Sequence, residues 1–284
     1  MKKNLLLAIS VIAITVTMIS CNKDNNSHEV SKYITIDAGV SSLTRATATA
    51  FQKDDQVSIY AWTGSTSVVQ TPLVIDNIVN TYDGSGWIPS QQMLWKDEVT
   101  SHYFIGVYPP KAITDFTADY YITLPDVLVA TVLGEGRKAT DAGGVVPMIF
   151  DHITARLDVN LTFRSEFGGT PTVQYITTFA QPGAMVNYLT KTTTVSGEVI
   201  EKDLMPTAVN TAYSQFFAPQ TVNTINITIG NTKYVYNNPA GIALVAGKIQ
   251  TVNLIVGRDK IELGSVTIND WGTGETINGG EALD

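Results

Sequence analysis

The sequence predicts an all-β protein of two tandem β-sandwiches, and three observations carry that prediction. Apolar residues recur with a period of two rather than 3.6, in short runs rich in β-branched and aromatic side chains. Gly, Pro, Asn and Asp separate those runs at the spacing of sandwich strands. The stretch Gly134-Glu-Gly136-Arg-Lys-Ala-Thr-Asp-Ala-Gly143-Gly144 has loop composition, and a long alternating run restarts beyond it. A boundary near Pro147 therefore divides the chain into a domain at 32–147 and another at 148–284, both of common domain size.

In chain order, strands are expected at Lys32 to Asp37, Gln56 to Trp62, Leu73 to Val79, His102 to Tyr108 and Tyr120 to Leu124. Beyond the boundary they are expected at Ile153 to Phe163, Val173 to Phe179, Thr224 to Ile229, Lys233 to Tyr236 and Thr251 to Val256. The sharpest local signal is Ile225-Asn-Ile227-Thr-Ile229, then Gly230-Asn231, then Lys233-Tyr-Val-Tyr236. Alternating isoleucines turn one face inward, and Gly-Asn supplies a turn with positive φ, so a β-hairpin is expected there. Short helices are conceivable only at Lys96 to Thr100 and Thr207 to Phe216.

The N-terminus reads as a leader. Lys2 and Lys3 precede an apolar segment from about Leu5 to Val16, and Met18-Ile19-Ser20 leads into Cys21, the one cysteine of 284 residues. This is the layout of a secretory signal at 1–20. A spanning helix needs about 20 apolar residues, and Ser10, Thr15 and Thr17 interrupt this run. A cysteine at the first mature position resembles the lipobox of bacterial lipoproteins, which implies lipidation of Cys21. Residues 21–31 are polar and read as a tether. With Cys21 alone, no disulfide forms within the chain, so burial must hold the fold together. Loss of Lys2 and Lys3 takes the net charge from −8 to −10, which argues against a nucleic-acid partner.

Constellations that would carry catalysis dissolve one by one. Gly134-x-Gly136-x-x-Ala139 mimics a dinucleotide fingerprint but lacks the strand-to-helix context. His28, His102 and His152 lack metal-ligand spacing, and Asp54-Asp55 and Asp97-Glu98 read as solvated loop acids. Asp151 and His152 are adjacent on a strand and so point to opposite faces. No nucleophile elbow is present, and neither an enzyme nor a cofactor is expected. Trp62, Trp87, Trp95 and Tyr108 leave one alternative, an exposed stacking platform for glycans on a monomeric surface lipoprotein.

Several motifs in order resemble the fimbrillin family of Bacteroides-type bacteria. Phe51-Gln-Lys-Asp-Asp55-Gln-Val-Ser-Ile-Tyr-Ala61, Gly86-Trp87, Trp95 and Tyr103-Phe-Ile-Gly-Val-Tyr-Pro109 match its first domain, with Asp54 where the family has glycine. Pro147-Met-Ile-Phe150-Asp-His152-Ile-Thr-Ala155-Arg156 resembles the strand that opens its second domain. Gly247-Lys248-Ile-Gln-Thr-Val-Asn-Leu254 and Val266-Thr-Ile268-Asn-Asp270-Trp271 resemble its closing strands.

The resemblance implies two transthyretin-like sandwiches and a pilus subunit exported as a lipoprotein to the outer membrane. It also implies an arginine-specific protease that cuts between the first strand and the rest. The matching position is Arg45-Ala46, within a Ser, Thr and Ala-rich stretch from Ser41 to Ala50. Such a cut would release Lys32 to Asp37 with Ile34 and Ile36, leaving a groove that a strand of another fimbrial subunit fills. The donor candidate is Gly264 to Asp284, with Val266, Ile268 and Trp271 as its apolar side chains.

Overall fold

The computed structural model describes residues 30–41 and 50–270. Almost every element is a strand, and four hydrogen-bonded sheets account for them. The first stretch contains β1 (Tyr33–Val40), β2 (Gln56–Thr63), β3 (Ile75–Tyr82), β4 (Trp87–Pro89), β5 (Met93–Leu94), β6 (His102–Tyr108), β7 (Asp119–Tyr121), β8 (Leu128–Arg137), the short helix α1 (Ala139–Ala142) and β9 (Val145–His152). The rest contains β10 (Ala155–Phe163), β11 (Val173–Ala180), β12 (Gly183–Asn187), β13 (Thr192–Ser196), β14 (Ile200–Asp203), β15 (Met205–Ala208), β16 (Ala212–Phe217), β17 (Gln220–Ile229), β18 (Thr232–Leu244), β19 (Lys248–Val256) and β20 (Ile261–Asp270).

The largest sheet runs β4-β3-β2-β6-β8-β9-β1-β5 and folds over on itself. β9 keeps only two pairs with β8, Leu128 with His152 and Val129 with Asp151. Its other residues turn away to pair in parallel with β1. The two limbs thus face each other across a core that includes Ile34, Ile36, Val57, Ile59, Phe104, Met148 and Phe150. Gly106 of β6 lies in this core because a Cβ there would sit 2.5 Å from Cζ of Phe150.

β2 is buried on both faces, which period-two alternation alone does not foretell. Val57, Ile59 and Ala61 face the core just described, whereas Tyr60 and Trp62 face a second core. That second core is covered by the small sheet β13-β12-β7 and by Ile113, Phe116 and Leu124. It combines residues from both sides of Pro147, since Ala184, Val186 and Tyr188 pack against Tyr60, Val107 and Val129. A third core lies between the sheet β15-β16-β10-β19-β20 and the sheet β14-β11-β17-β18. There Leu157, Val159, Ile225, Ile227, Val252 and Leu254 interdigitate.

The expected hairpin is present: β17 and β18 pair from Ile229 with Thr232 outward, around Gly230 at φ 58°. Three local expectations are corrected. Residues 207–216 form no helix but the end of β15, a turn with Asn210 at φ 64°, and β16. Residues 96–100 form an Asp97 turn, whose Oδ1 accepts the amides of Val99 and Thr100, so the side chain competes with a helical turn. The glycine-rich stretch is no loop at Gly134 and Gly136. β8 continues to Arg137, and the extra residues form a wide bulge opposite His102 and Phe104. Gly136, at φ 70°, passes so close to the His102 carbonyl that a Cβ would lie 2.7 Å from it.

His102 shows how tightly this corner is built. Its Nε2 accepts the Lys96 amide at 3.0 Å, and Nδ1 lies 2.8 Å from the Thr100 carbonyl, so the hydrogen resides on Nδ1. Burial lowers its pKa below the ordinary histidine value. The unfolded chain therefore binds a proton before the folded one does. Stability is full above about pH 6.5 and falls as the pH drops from there toward the lowered folded value, by at most about 1.4 kcal/mol per pH unit. His102→Asn is expected to flatten this acid limb in denaturation curves taken between pH 7 and 5, which checks the assignment.

Candidate functional site

β1 is the element whose position matters most. Its alternation is strict: Ile34 and Ile36 are 1% and 5% exposed, while Tyr33, Thr35 and Asp37 face outward. It lies between two strands from later in the chain. β9 pairs in parallel from Thr35 with Val145 to Val40 with Phe150, and β5 pairs antiparallel through Ile34 with Met93. The Thr35 amide donates to the Gly144 carbonyl at 2.8 Å and the Ser41 amide to the Phe150 carbonyl at 2.8 Å. The indole of Trp87 donates to the Ala38 carbonyl at 3.2 Å. Ile34 and Ile36 thereby close a core shared with Met93, Trp95, Val146 and Met148. Removing β1 would leave those side chains, and the bonding groups of β9 and β5, without a cover.

The opposite end of the chain supplies an edge. β20 pairs antiparallel with β19 and is the outermost strand of its sheet. Val266 lies opposite Val252 and Ile268 opposite Gln250, both buried, so the two apolar side chains share the inward face. Even so, Val266 and Ile268 are 38% and 56% exposed. Gly264 to Asp270 is thus paired to its own sheet along one edge, with an exposed apolar row. Cys21, Arg45, Ala46 and Trp271 lie outside the described residues.

The alternative of a glycan platform on Trp62, Trp87, Trp95 and Tyr108 is corrected. All three tryptophans are buried, and Tyr108 is half-buried in a cluster with Phe51. The Trp62 indole donates to the Ser65 carbonyl at 2.6 Å, and Trp95 stacks edge-on against His102 and Phe104. These rings fill cores, where large aromatic area contributes most.

One polar cluster escaped the sequence. Asp119 of β7 receives the Lys111 ammonium at 2.6 Å and the Tyr188 hydroxyl at 2.5 Å. The Tyr121 hydroxyl lies 2.9 Å from that of Tyr188, and Lys111 sits 3.7 Å above the Tyr121 ring. The Tyr60 hydroxyl donates to the Lys111 carbonyl and accepts the Ile113 amide. Burial pushes the Tyr60 and Tyr121 hydroxyls up to about 12 and raises that of Tyr188 further, so all three stay protonated donors. The cluster bolts β12 to β7, where Ala184 pairs with Tyr121 and Val186 with Asp119. Tyr188 joins Asp119 and Tyr121 from more than sixty residues away, and no local motif links it to them.

Among the described residues there is no group of His, Cys, Asp or Glu that could hold a metal ion, and no helix long and apolar enough to cross a membrane. What the geometry defines is a multi-sheet β protein whose polar side chains bind one another, with its first described strand enclosed between β9 and β5 and β20 at a sheet edge. The chain belongs to the fimbrillin-like family, a family of structural proteins rather than enzymes, whose family model matches residues 44–271. Its fold is similar to that of a putative cell adhesion protein from Bacteroides uniformis, at 16% identity and a TM-score of 0.66, covering 84% of this chain and 98% of that one. A putative cell adhesion protein from Bacteroides ovatus shares 15% identity with a TM-score of 0.66, covering 86% and 99%. A fimbrial protein from Bacteroides vulgatus shares 13% identity with a TM-score of 0.50, covering 85% and 100%. No curated protein sequence matches the chain.

Proposed function

We propose that this chain is a structural subunit of a cell-surface fimbria, exported as a lipoprotein through Cys21, cleaved after Arg45 and polymerised by β-strand exchange in support of adhesion. Membership of the fimbrillin-like family and the fold shared with fimbrial and adhesion proteins support the reading. In this view residues 32–147 and 148–284 are two transthyretin-like sandwiches, with the rest of β9 to His152 completing the core of the first and β12 and β13 packed back on that sandwich. The lipid holds the subunit at the outer membrane until an arginine-specific protease acts.

The observation that carries the proposal is the position of β1. It is the first described strand, it is buried between β9 and β5, and Arg45 stands a few residues beyond its end at Val40. A cut after Arg45 severs the covalent tie between β1 and the rest of the fold. Only noncovalent contacts then hold it, and a strand from a neighbouring subunit can replace it with the same main-chain bonds. The donor is the C-terminal segment with Val266, Ile268 and Trp271, whose β20 portion is bonded to its own sheet on one side only. Head-to-tail insertion does not close on itself and so yields a filament.

Mass spectrometry of the protein recovered from cells tests this. The polymer is expected to begin at Ala46, and Arg45→Ala is expected to keep the lipidated Cys21 terminus and remain unpolymerised. Polymer built from uncut chains would refute the trigger.

A further inference from the structure

We propose that the outer face of the β14-β11-β17-β18 sheet is a binding platform for a neutral oligosaccharide, a site independent of assembly through β1. β11 sends Ile176 and Thr178 inward and presents Tyr175, Thr177 and Phe179 on the outer face. Tyr175 and Phe179 are 62% and 44% exposed, although aromatic rings on strands usually face a core. Four residues apart on an extended strand, they stand about 13 Å from each other, a span that exceeds one sugar ring and suits a short oligosaccharide.

The floor between the rings is polar and ordered. Oε1 of Glu201, on β14 opposite Phe179, accepts three bonds: from the Thr177 hydroxyl at 2.5 Å, the Asn226 amide at 2.8 Å and the Lys233 ammonium at 2.9 Å. Those bonds all fall on one oxygen, and the carboxylate, 40% exposed, has further acceptor capacity on Oε2 for a ligand hydroxyl. They also hold the Glu201 carboxyl below its usual range, the Thr177 bond foremost, so it is an ionised acceptor at neutral pH.

The chemistry of the occupant follows from charge and pattern. Lys233 and Glu201 neutralise one another, and the chain carries a net charge of −8, so a polyanion gains nothing here. An apolar protein surface laid over both rings would strip water from Glu201 and Lys233 without replacing their hydrogen bonds. A neutral sugar meets both demands, since its C–H faces stack on rings while its hydroxyls bond to a carboxylate and amides.

The test applies the full chain to an array bearing mannotriose, cellotetraose and lacto-N-tetraose, with a heparin tetrasaccharide as anionic control. At least one neutral probe is expected to bind, and the doubly substituted Tyr175→Ala/Phe179→Ala chain is expected to bind it about tenfold more weakly or worse at an unchanged thermal midpoint. Glu201→Gln, which keeps the shape, is expected to weaken binding as well. The proposal is overturned if no neutral probe binds, if the double variant binds equally well, or if only the heparin fragment is captured. It is equally overturned if the double substitution abolishes self-association instead, because the face then belongs to a second copy.

Discussion

A chain that begins at Ala46 is expected to unfold at a clearly lower temperature than the intact chain, and a synthetic peptide spanning Lys32 to Val40 is expected to restore it. Deleting β1 uncovers the pocket that Ile34 and Ile36 fill against Met93, Val146 and Met148. Burial of the two isoleucines contributes roughly 3 to 6 kcal/mol, from about 1.5 to 3 for each side chain. The bonds from Thr35 to Gly144 and from Ser41 to Phe150 are lost with them. For a protein of this size the midpoint should fall on the order of 10 °C. The peptide must order itself to bind, so micromolar or higher concentrations are needed. A peptide carrying Ile34→Asn and Ile36→Asn keeps the main-chain bonding groups and loses the burial, and it should not rescue. If the truncated chain melts with the intact one, β1 is dispensable for the fold and its release cannot expose a binding groove.

The second large effect concerns Asp119. Replacing it with alanine leaves the Lys111 ammonium and the Tyr188 hydroxyl without their shared acceptor, while their surroundings remain mostly buried. Lys111 is partly exposed and can turn toward water, so the cost is set at about 2 to 4 kcal/mol rather than the higher end for a fully buried pair. Asp119→Asn keeps an acceptor and should cost less. Because the cluster joins β7 to β12, the loss should be felt locally as well. Limited proteolysis of the Asp119→Ala chain is expected to nick residues 183–196 sooner than elsewhere, whereas uniform cleavage would show that the cluster stabilises the fold without holding the hairpin.

Much of the fold was legible because its signals are local. Ile225, Ile227 and Ile229 with Gly230 specify a hairpin from adjacent residues, and Ile34 and Ile36 declare the inner face of β1 by spacing alone. The errors arose where a neighbour distant in sequence overrides local pattern. Gly134 and Gly136 read as a loop, yet they are the bulge that lets β8 pair with β6 as far as His102. Thr207 to Phe216 has enough alternation for either structure, and pairing with β10 decides for strand. The four aromatics read as a surface platform are mostly interior because layers distant in sequence cover them, Trp62 in the second core and Trp87 and Trp95 in the first. Tyr175 and Phe179 are exposed because no layer covers the outer face of their sheet.

By itself the sequence determined the all-β class, the alternation of the first strand and the hairpin around Gly230, together with the motifs that place the chain among fimbrillins. These depend on backbone periodicity and turn chemistry, which act over a few residues. The tertiary structure alone decided that β1 is enclosed by β9 and β5, that β12 crosses back to β7 under the Asp119 cluster, and that β20 carries an uncovered apolar row. Each of these requires strands tens of residues apart to be brought to hydrogen-bonding distance. Which partners meet is settled by the mutual fit of whole layers, to which no single segment holds the key.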